Sequence, residues 1–281
     1  MGEDGADTRE EMERLARELE RHNRLYYVEG TSEISDREYD EMFRRLEELE
    51  EKHPEWASDN SPTRRVGDDP IEGFKQREHL VPMLSIDDLF SEEEVGDFYR
   101  RLQKGLEREQ VDVMIEPKID GVAVALHYED GEFSYALTRG DGTEGDLITE
   151  NVRTIRSIPL RLDLDDAPGW LEVRGEIFMP NEKFAEMNEQ RDEDGLAAFK
   201  NPRNATAGSL KLLDPREVAR RPLDFIAHGV GRLDGWRPET FPELREFLEQ
   251  AGIPLNGPIW MADSCDSVLE AIHELDEKRH G

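Results

Sequence analysis

Cysteine, lysine and long apolar runs are scarce in this chain of 281 residues, and each scarcity excludes a class of protein. The single cysteine, Cys265, excludes an internal disulfide framework and a cysteine-rich zinc site. No apolar run approaches the ~20 residues of a membrane span. The N-terminal stretch MGEDGADTREEMERL is acidic and lacks the apolar core of a secretory signal. These features predict a protein of the reducing cytoplasm that does not enter a membrane.

Positive charge is also scarce. The chain has 36 Lys plus Arg against 67 Asp plus Glu, a net charge of −31, and because only eight of the 36 are lysine, 28 are arginine. At ordinary ionic strength such a surface repels DNA, RNA and anionic lipid. In molar salt the Debye length falls to about 3 Å, and this repulsion nearly vanishes. The composition therefore favours a halophilic protein, with an ordinary acidic protein as the alternative.

The first part of the chain is predicted to be helical. Its first helix has an apolar face with spacings of four, three and four, formed by Leu15, Leu19, His22 and Tyr26. A second helix begins with a capping box, Ser35 followed by Glu38, and ends before Pro54. Residues 57–84 are rich in Pro, Asp and Gly and predict a connecting arm. We therefore expect a helical domain at 1–70, an arm to about 84, and a second domain at 85–281.

From residue 111 the apolar period changes to two, which predicts strands. VAVALHYEDGEFSYALTRG predicts a hairpin that turns at Asp130-Gly131. The strand LEVRGEIFMP has Leu171, Val173 and Ile177 on one face and Glu172, Arg174 and Glu176 on the other. Further helices are predicted from Ser91, near 181–190, 241–250 and 266–278, with a strand at PLDFIAHGVG. The pattern indicates an α+β protein, a helical unit followed by mainly antiparallel strands.

EPKIDG, at residues 116–121, places charged side chains in this β pattern. We expect a strand that projects Glu116 and Lys118 from one face and breaks at Asp120-Gly121. A partly buried lysine amine favours its neutral form, which makes Lys118 a candidate nucleophile. The alternative is a lysine that extends its amine into water from a strand edge.

Two further segments favour a nucleotide site. TRGDGTEGD is a glycine-rich loop opened by Arg139 and suited to close contact with phosphate or sugar, or else an ordinary solvated turn. Glu176 lies on the charged face of its strand, where it suits ribose hydroxyls. The alternative for Glu176 is membership of a ladder of salt bridges along that face.

Five motifs in this order, EPKIDG, TRGDGTEGD, NVRTIRSIPL, LEVRGEIF and NPRNATAGSL, make the chain similar to the adenylation domain of the NAD+-dependent, bacterial-type DNA ligases. The resemblance covers roughly residues 10 to 278 and implies a nucleotidyltransferase-type fold. It also implies that Lys118 attacks the α-phosphate of NAD+, expels nicotinamide mononucleotide (NMN), and keeps AMP for transfer to the 5′-phosphate of a nick in double-stranded DNA.

The same resemblance assigns roles to other positions. Glu116, Arg139 and Glu176 match residues that hold the adenosine. In MLSIDDLFS, Ser85 and Ile86 match the adenine-side segment. Basic positions that act at the nick phosphate in the family correspond to Arg203 and Lys211, for which plain surface charge is the alternative.

DREYD falls where the family carries its NMN-binding motif. Asp36, Tyr39 and Asp40 lie at i, i+3 and i+4 on one helix face, and with Tyr26 they would form an acidic, aromatic cup for the cationic nicotinamide ring. The alternative is that the tyrosines are core residues and the aspartates favour a helix N-terminus. The positions that the resemblance assigns to NMN are Tyr26, Asp36, Arg37, Glu38, Tyr39 and Asp40.

The resemblance further implies a magnesium ion, since two adjacent phosphates crowd anionic oxygens that Mg²⁺ would screen. Nicked DNA is the implied substrate of the full-length enzyme, which we expect to be a monomer. In the family a D-G-x-V-x-K strand, a second lysine motif and DNA-encircling domains follow, and none occurs here. Leu147, directly after TRGDGTEGD, also departs from the family, in which an acidic residue is usual at this position. An enzyme fragment and an NAD+- or NMN-binding module without chemistry therefore both remain open.

Overall fold

The structure, a computed structural model, describes residues 3–29, 31–65 and 71–280. Its helices are α1 (Glu3–Tyr27), α2 (Asp36–Lys52), α3 (Glu92–Leu106), α4 (Thr149–Arg153), α5 (Asn181–Glu193), α6 (Pro202–Leu210), α7 (Pro215–Val218), α8 (Phe241–Gln250) and α9 (Cys265–His280). Its strands are β1 (Gln76–Glu78), β2 (Val113–Ile115), β3 (Val122–Glu129), β4 (Glu132–Thr138), β5 (Glu144–Asp146), β6 (Trp170–Phe178), β7 (Asp224–Leu233) and β8 (Trp260–Ala262).

Contacts divide the chain into two compact units. The first comprises Met1–Met83 and Asp120–Leu255, and the second comprises Leu84–Ile119 and Asn256–Gly281. The helical segment and the large sheet thus belong to one contact unit. The two sequence-based domains at 1–70 and 85–281 stay a prediction.

In the first unit, α1 and α2 form a helical hairpin. Its core contains Met12, Leu15, Leu19, Leu46 and Leu49. The predicted capping box is confirmed: the Glu38 N–H donates to the Ser35 hydroxyl, and the Glu38 carboxylate accepts from the Ser35 N–H at 2.9 Å. The helix ends at Lys52, as Pro54 predicted.

A four-stranded antiparallel sheet of order β4-β3-β6-β7 is the centre of this unit. One face packs into the main hydrophobic core with Val124, Leu126, Tyr128, Leu171, Val173 and Ile177. The opposite face carries Ala123, His127, Tyr135, Glu172, Arg174 and Glu176, as the strand register requires. The β3–β4 hairpin turns through Asp130 and Gly131, whose positive φ angles of 49° and 81° fit a type I′ turn. The predicted fold class, α+β with mainly antiparallel strands, is confirmed.

A short ladder joins the predicted connecting arm to the sheet region. Strand β1 pairs antiparallel with β5, with Arg77 opposite Gly145. The sequence did not predict either strand, because their residues, QRE and EGD, have no apolar alternation. The arm between the helical hairpin and the second unit is therefore partly structured.

The helical hairpin is joined to the sheet part of its unit by a buried arginine. Arg65 donates to both carboxylate oxygens of Glu20 at 3.0 Å and to the carbonyls of Ile155 and Ile158 at 3.1 Å. Within the described residues, no helix combines the length and the apolar character that crossing a membrane requires.

In the second unit, α3 and α9 pack with the antiparallel pair β2–β8 around Tyr99, Val111, Ala262 and Val268. Ser91 caps α3, as predicted. The predicted strand through Lys118 is wrong, because β2 ends at Ile115. Pro117 has no N–H to donate to a ladder, which accounts for the early end.

Candidate active site

The clearest link between two of the motifs is a hydrogen bond from Gly121 to Glu176. The Gly121 N–H donates to Glu176 Oε1 at 3.2 Å. A Cβ at position 121 would lie 2.1 Å from the Ile177 carbonyl oxygen, so this position requires glycine. The glycine of K-x-D-G therefore lets the chain enter β3 against β6. Its N–H group, three residues after Lys118 in the sequence, holds the Glu176 carboxylate in place.

Arg139 lies at the same end of the sheet as Glu176. Ala123 of β3 is opposite Glu176 of β6 and accepts a backbone hydrogen bond from the Arg139 N–H at 2.9 Å. The Arg139 side chain is half-buried. The structure thus brings together two of the three residues predicted to hold the adenosine, with a small alanine side chain between them.

The TRGDGTEGD loop is closed by hydrogen bonds to the side chain of one of its own residues, Asp141. The Asp141 carboxylate accepts hydrogen bonds from the backbone N–H groups of Glu144 at 3.0 Å and Thr143 at 2.8 Å, which lowers the pKa of Asp141. Gly140 and Gly142 have φ angles of 57° and 96°. These glycines serve the turn itself, and the amides at 143 and 144 are already occupied.

Of the two basic positions assigned to the nick phosphate, Arg203 forms an ion pair with Asp120. The separation is 3.4 Å and both side chains are exposed. Arg203 is the second residue of α6, two positions after the cap residue Asn201, and the exposed Lys211 follows the same helix. The sequence did not predict α6.

Lys118 and Glu116 belong to the second unit. Lys118 is exposed and Glu116 is half-buried, so the expectation of a partly buried strand lysine is wrong. The backbone between Glu116 and Lys118 is held by a hydrogen bond: the side-chain amide of the buried Asn256 donates to the carbonyl of Pro117. Asn256 lies outside every motif that the sequence singled out, so its role was missed.

Ser85 and Ile86 lie in an irregular segment of the second unit, between Leu84 and α3. Ile86 is 71% exposed and Leu84 is 85% exposed. Apolar side chains this exposed are available to contact an apolar ligand surface.

In the helical hairpin the two predicted tyrosines differ. The Tyr39 hydroxyl donates to Asn23 at 2.9 Å, and the ring packs against the hairpin core. Burial raises the pKa of the Tyr39 hydroxyl. Tyr26 is 58% exposed and makes an edge contact with the ring of Tyr27 at 4.9 Å. Tyr39 thus contributes to the hairpin core and Tyr26 is exposed, while the assignment of both residues to NMN stays a prediction.

The charged residues of DREYD also have distinct environments. Arg37 pairs with Glu41 at 2.8 Å on the exposed side of α2, while the Glu38 carboxylate is committed to the cap at Ser35. Asp40 is exposed. Asp36 is the first residue of α2, and its side chain lies outside the described part of the structure.

Arg156 is a cation that the sequence reading passed over. It donates to the Tyr27 hydroxyl at 2.9 Å and lies 5.3 Å from the centre of that ring. Its charge also acts on the Tyr39 hydroxyl, where it opposes the rise in pKa. The motif NVRTIRSIPL contains Arg156, so the motif itself was the signal that could have placed it beside the predicted cup.

Among the described residues, no group of three or more His, Cys, Asp or Glu side chains could hold a metal ion. Mg²⁺ commonly binds through substrate phosphates with few protein ligands. The described residues therefore do not themselves form a magnesium cage.

Two family models match the chain and define the class of protein. Residues 5–67 match a model described as "DNA ligase-like, N-terminal NAD+-binding domain", and residues 71–281 match "NAD-dependent DNA ligase adenylation domain". The helical hairpin thus falls in an NAD+-binding domain, and the sheet-bearing remainder falls in an adenylation domain. NAD+ is the cofactor of this class.

Similar whole proteins carry the name DNA ligase. The relative from Akkermansia muciniphila is 54% identical over 279 residues, covering 95% of this chain and 34% of the relative. Those from Methylacidiphilum infernorum and Petrotoga mobilis are 45% and 46% identical, covering 95% and 96% of this chain and 39% and 40% of their own lengths. The chain belongs to the NAD-dependent DNA ligase family, as its motifs predicted. It spans between a third and two fifths of the length of these relatives.

Proposed function

We propose that this chain is the adenylating part of a DNA ligase that uses NAD+. The observation that carries the proposal is the hydrogen bond between Gly121 and Glu176, which joins the lysine motif to the motif that supplies the sugar-binding carboxylate. The family match over residues 71–281 supports the same assignment.

In the proposed reaction the neutral Lys118 Nζ attacks the α-phosphorus of NAD+. A P–N bond forms, and the bond from that phosphorus to the bridging oxygen breaks, so NMN leaves with that oxygen. The amine loses a proton to solvent, and AMP remains as a phosphoramide. The side chain of Lys118 is exposed, so its amine is accessible to the cofactor.

The remaining roles are proposed in two groups. Glu116, Arg139 and Glu176, with Ser85 and Ile86, hold the adenosine. The helical domain, proposed as residues 1–70, holds NMN through the positions Tyr26, Asp36, Arg37, Glu38, Tyr39 and Asp40. Mg²⁺, when bound, would screen the negative charge of the NAD+ phosphate oxygens.

The full-length protein is proposed to seal nicks in double-stranded DNA during replication and repair, with Arg203 and Lys211 acting near the nick phosphate. The ion pair of Arg203 with Asp120 is exposed and therefore readily exchanged for a phosphate contact. We also propose that the protein is a halophilic, cytoplasmic monomer, since the charge of −31 permits close approach to DNA only where salt screens it.

Intact mass measurement after denaturation tests the proposed chemistry. The protein is incubated with NAD+ and Mg²⁺ in high salt, and a covalent AMP adduct is expected. Lys118→Ala should abolish the adduct, whereas Lys183→Ala, which removes another exposed lysine paired with Glu186, should retain it. NAD+ binding without an adduct would instead indicate a binding module.

A further inference from the structure

Arg174 makes an unusually complete set of contacts on the charged face of β6. Its guanidinium contacts Glu172 Oε1 at 2.7 and 2.8 Å and donates to two consecutive backbone carbonyls, Val81 at 2.6 Å and Pro82 at 3.0 Å. The planar fork of arginine can make both sets of bonds at once, which a lysine cannot. Arg174 therefore joins the sheet to the segment that runs up to Met83.

Glu172 orients that guanidinium from a buried position. Its side chain is 0% exposed, and a Cβ on Gly231 of the neighbouring strand would lie 2.2 Å from Glu172 Oε1. A carboxylate without water needs an opposite charge and hydrogen bonds, and Arg174 supplies both at Oε1, while the buried Oε2 has no hydrogen-bond partner among the described residues. The pair is thus fixed in one geometry, unlike an exposed ladder of charges.

The segment that Arg174 holds is bonded in turn to the loop that carries Arg139. The Met83 N–H donates to the Gly142 carbonyl at 2.9 Å, and the Gly142 N–H donates to the Arg139 carbonyl at 3.0 Å. A second pair of contacts lies four residues before Met83, at His79. The His79 N–H donates to the Thr143 carbonyl at 2.9 Å, and the His79 ring Nε2 lies 3.0 Å from the Arg139 carbonyl oxygen. A continuous series of bonds therefore runs from Glu172 to the backbone of Arg139.

We infer that Arg174, oriented by Glu172, is a positioning residue for the adenosine site: it fixes residues 81–83 and through them the backbone that presents Arg139. The inference rests on the proposed function for the identity of the ligand. Arg174 touches no nucleotide in this assignment, and its effect is confined to the adenosine half of the cofactor. NMN binding, which is assigned to the helical hairpin, is independent of it.

The test uses the full 281-residue chain and a double variant, Glu172→Gln with Arg174→Met. Changing both residues removes the two carbonyl contacts without leaving a buried carboxylate unpaired. Arg232→Met is the matched control, since it removes an exposed arginine of β7 that pairs with Asp234. Amide hydrogen exchange and the affinities for AMP and NMN are measured for each protein.

The double variant should show roughly tenfold faster exchange at the Met83 and Gly142 amides, with the β3 amides unchanged. Its affinity for AMP should fall about tenfold, the scale of one or two charge-assisted hydrogen bonds, while its affinity for NMN stays at the wild-type level. The control should match the wild type in all three measurements. If the double variant does not fold, Arg174→Lys, which keeps the charge but not the fork, is held to the same criteria.

Unchanged exchange at Met83 and Gly142 would overturn the inference, because the bonds would not depend on Arg174. Faster exchange with unchanged AMP affinity would overturn it as well, and so would an equal loss of AMP and NMN affinity. Wild-type protein that binds neither AMP nor NAD+ would instead refute the proposed function. The exchange measurement, which needs no ligand, separates that failure from a failure of the Arg174 link.

Discussion

Arg65 and Glu20 form a two-pronged ion pair whose side chains are only 7% and 15% exposed. Arg65 also donates to carbonyls of the 153–158 segment, so the pair connects α1 to the sheet part of its unit. An ion pair buried in this way leaves an uncompensated charge when one partner is removed.

Glu20→Ala is therefore expected to lower the free energy of unfolding by about 3 kcal/mol, because Arg65 keeps its charge and loses its carboxylate. Urea unfolding, followed by far-UV circular dichroism, measures the change. Glu18→Ala, on the same helix, removes an exposed pair with Arg14 and should change stability by less than about 1 kcal/mol. Equal effects of the two variants would show that burial of the Arg65 pair contributes nothing.

His127 makes stability depend on pH. Burial, with the nearby charges of Arg77, His79 and Arg174, lowers the pKa of His127 from 6.5 to about 3. The folded protein therefore leaves this histidine neutral in a range where the unfolded chain protonates it. Its contribution is fully present above about pH 6.5 and is lost as pH falls toward about 3, at a rate of about 1 kcal/mol per pH unit.

Replacing the histidine, as in His127→Leu, should flatten the dependence of unfolding free energy on pH between about 7 and 4. Urea titrations of both proteins at several pH values in this window give the difference in slope. Parallel slopes would mean that His127 titrates in the folded state as it does in the unfolded chain.

The proposed division of the cofactor between two domains predicts separate losses of affinity. Asp36→Ala should weaken NMN binding about tenfold, because a carboxylate beside the cationic nicotinamide is removed, and should leave AMP binding unchanged. Calorimetric titration with each nucleotide measures both. Glu47→Ala, on the same helix and exposed, is the control. Equal loss of NMN and AMP affinity would contradict the division.

The proposed adaptation to salt predicts that the midpoint temperature of thermal unfolding rises with KCl concentration. With a net charge of −31, raising KCl from about 0.1 to about 2 M should increase the midpoint by roughly 10 °C, because self-repulsion is screened. Glycine betaine at equal osmolarity controls for solute exclusion. A midpoint that stops rising above about 0.3 M would favour the ordinary acidic protein.

Sequence periodicity predicted the larger elements well. Local sequence patterns were sufficient to predict the long strands β3 and β6, the caps at Ser35 and Ser91, and the turn at Asp130-Gly131. Strands β1, β5 and β8 were missed because three residues carry too little pattern to distinguish a strand from a loop.

The candidate site was less predictable, since its geometry depends on contacts between distant segments. Alternation placed Glu176 and Arg174 on one face, but only the folded sheet shows that Glu176 bonds to Gly121 while Arg174 bonds to Val81 and Pro82. The burial expected for Lys118 was wrong because the strand ends at Ile115, three residues before Lys118, where Pro117 cannot extend the ladder.

The close approach of Gly231 to the Glu172 carboxylate has a consequence for how this domain can diverge. A Cβ introduced at 231 would lie 2.2 Å from Glu172 Oε1, so any side chain there must displace the carboxylate from its pair with Arg174. A shortened residue at 172 would in turn leave Arg174 unbalanced. Substitutions at positions 172, 174 and 231 are therefore expected to be non-additive, so a change at one of them alters the effect on stability of a change at the others.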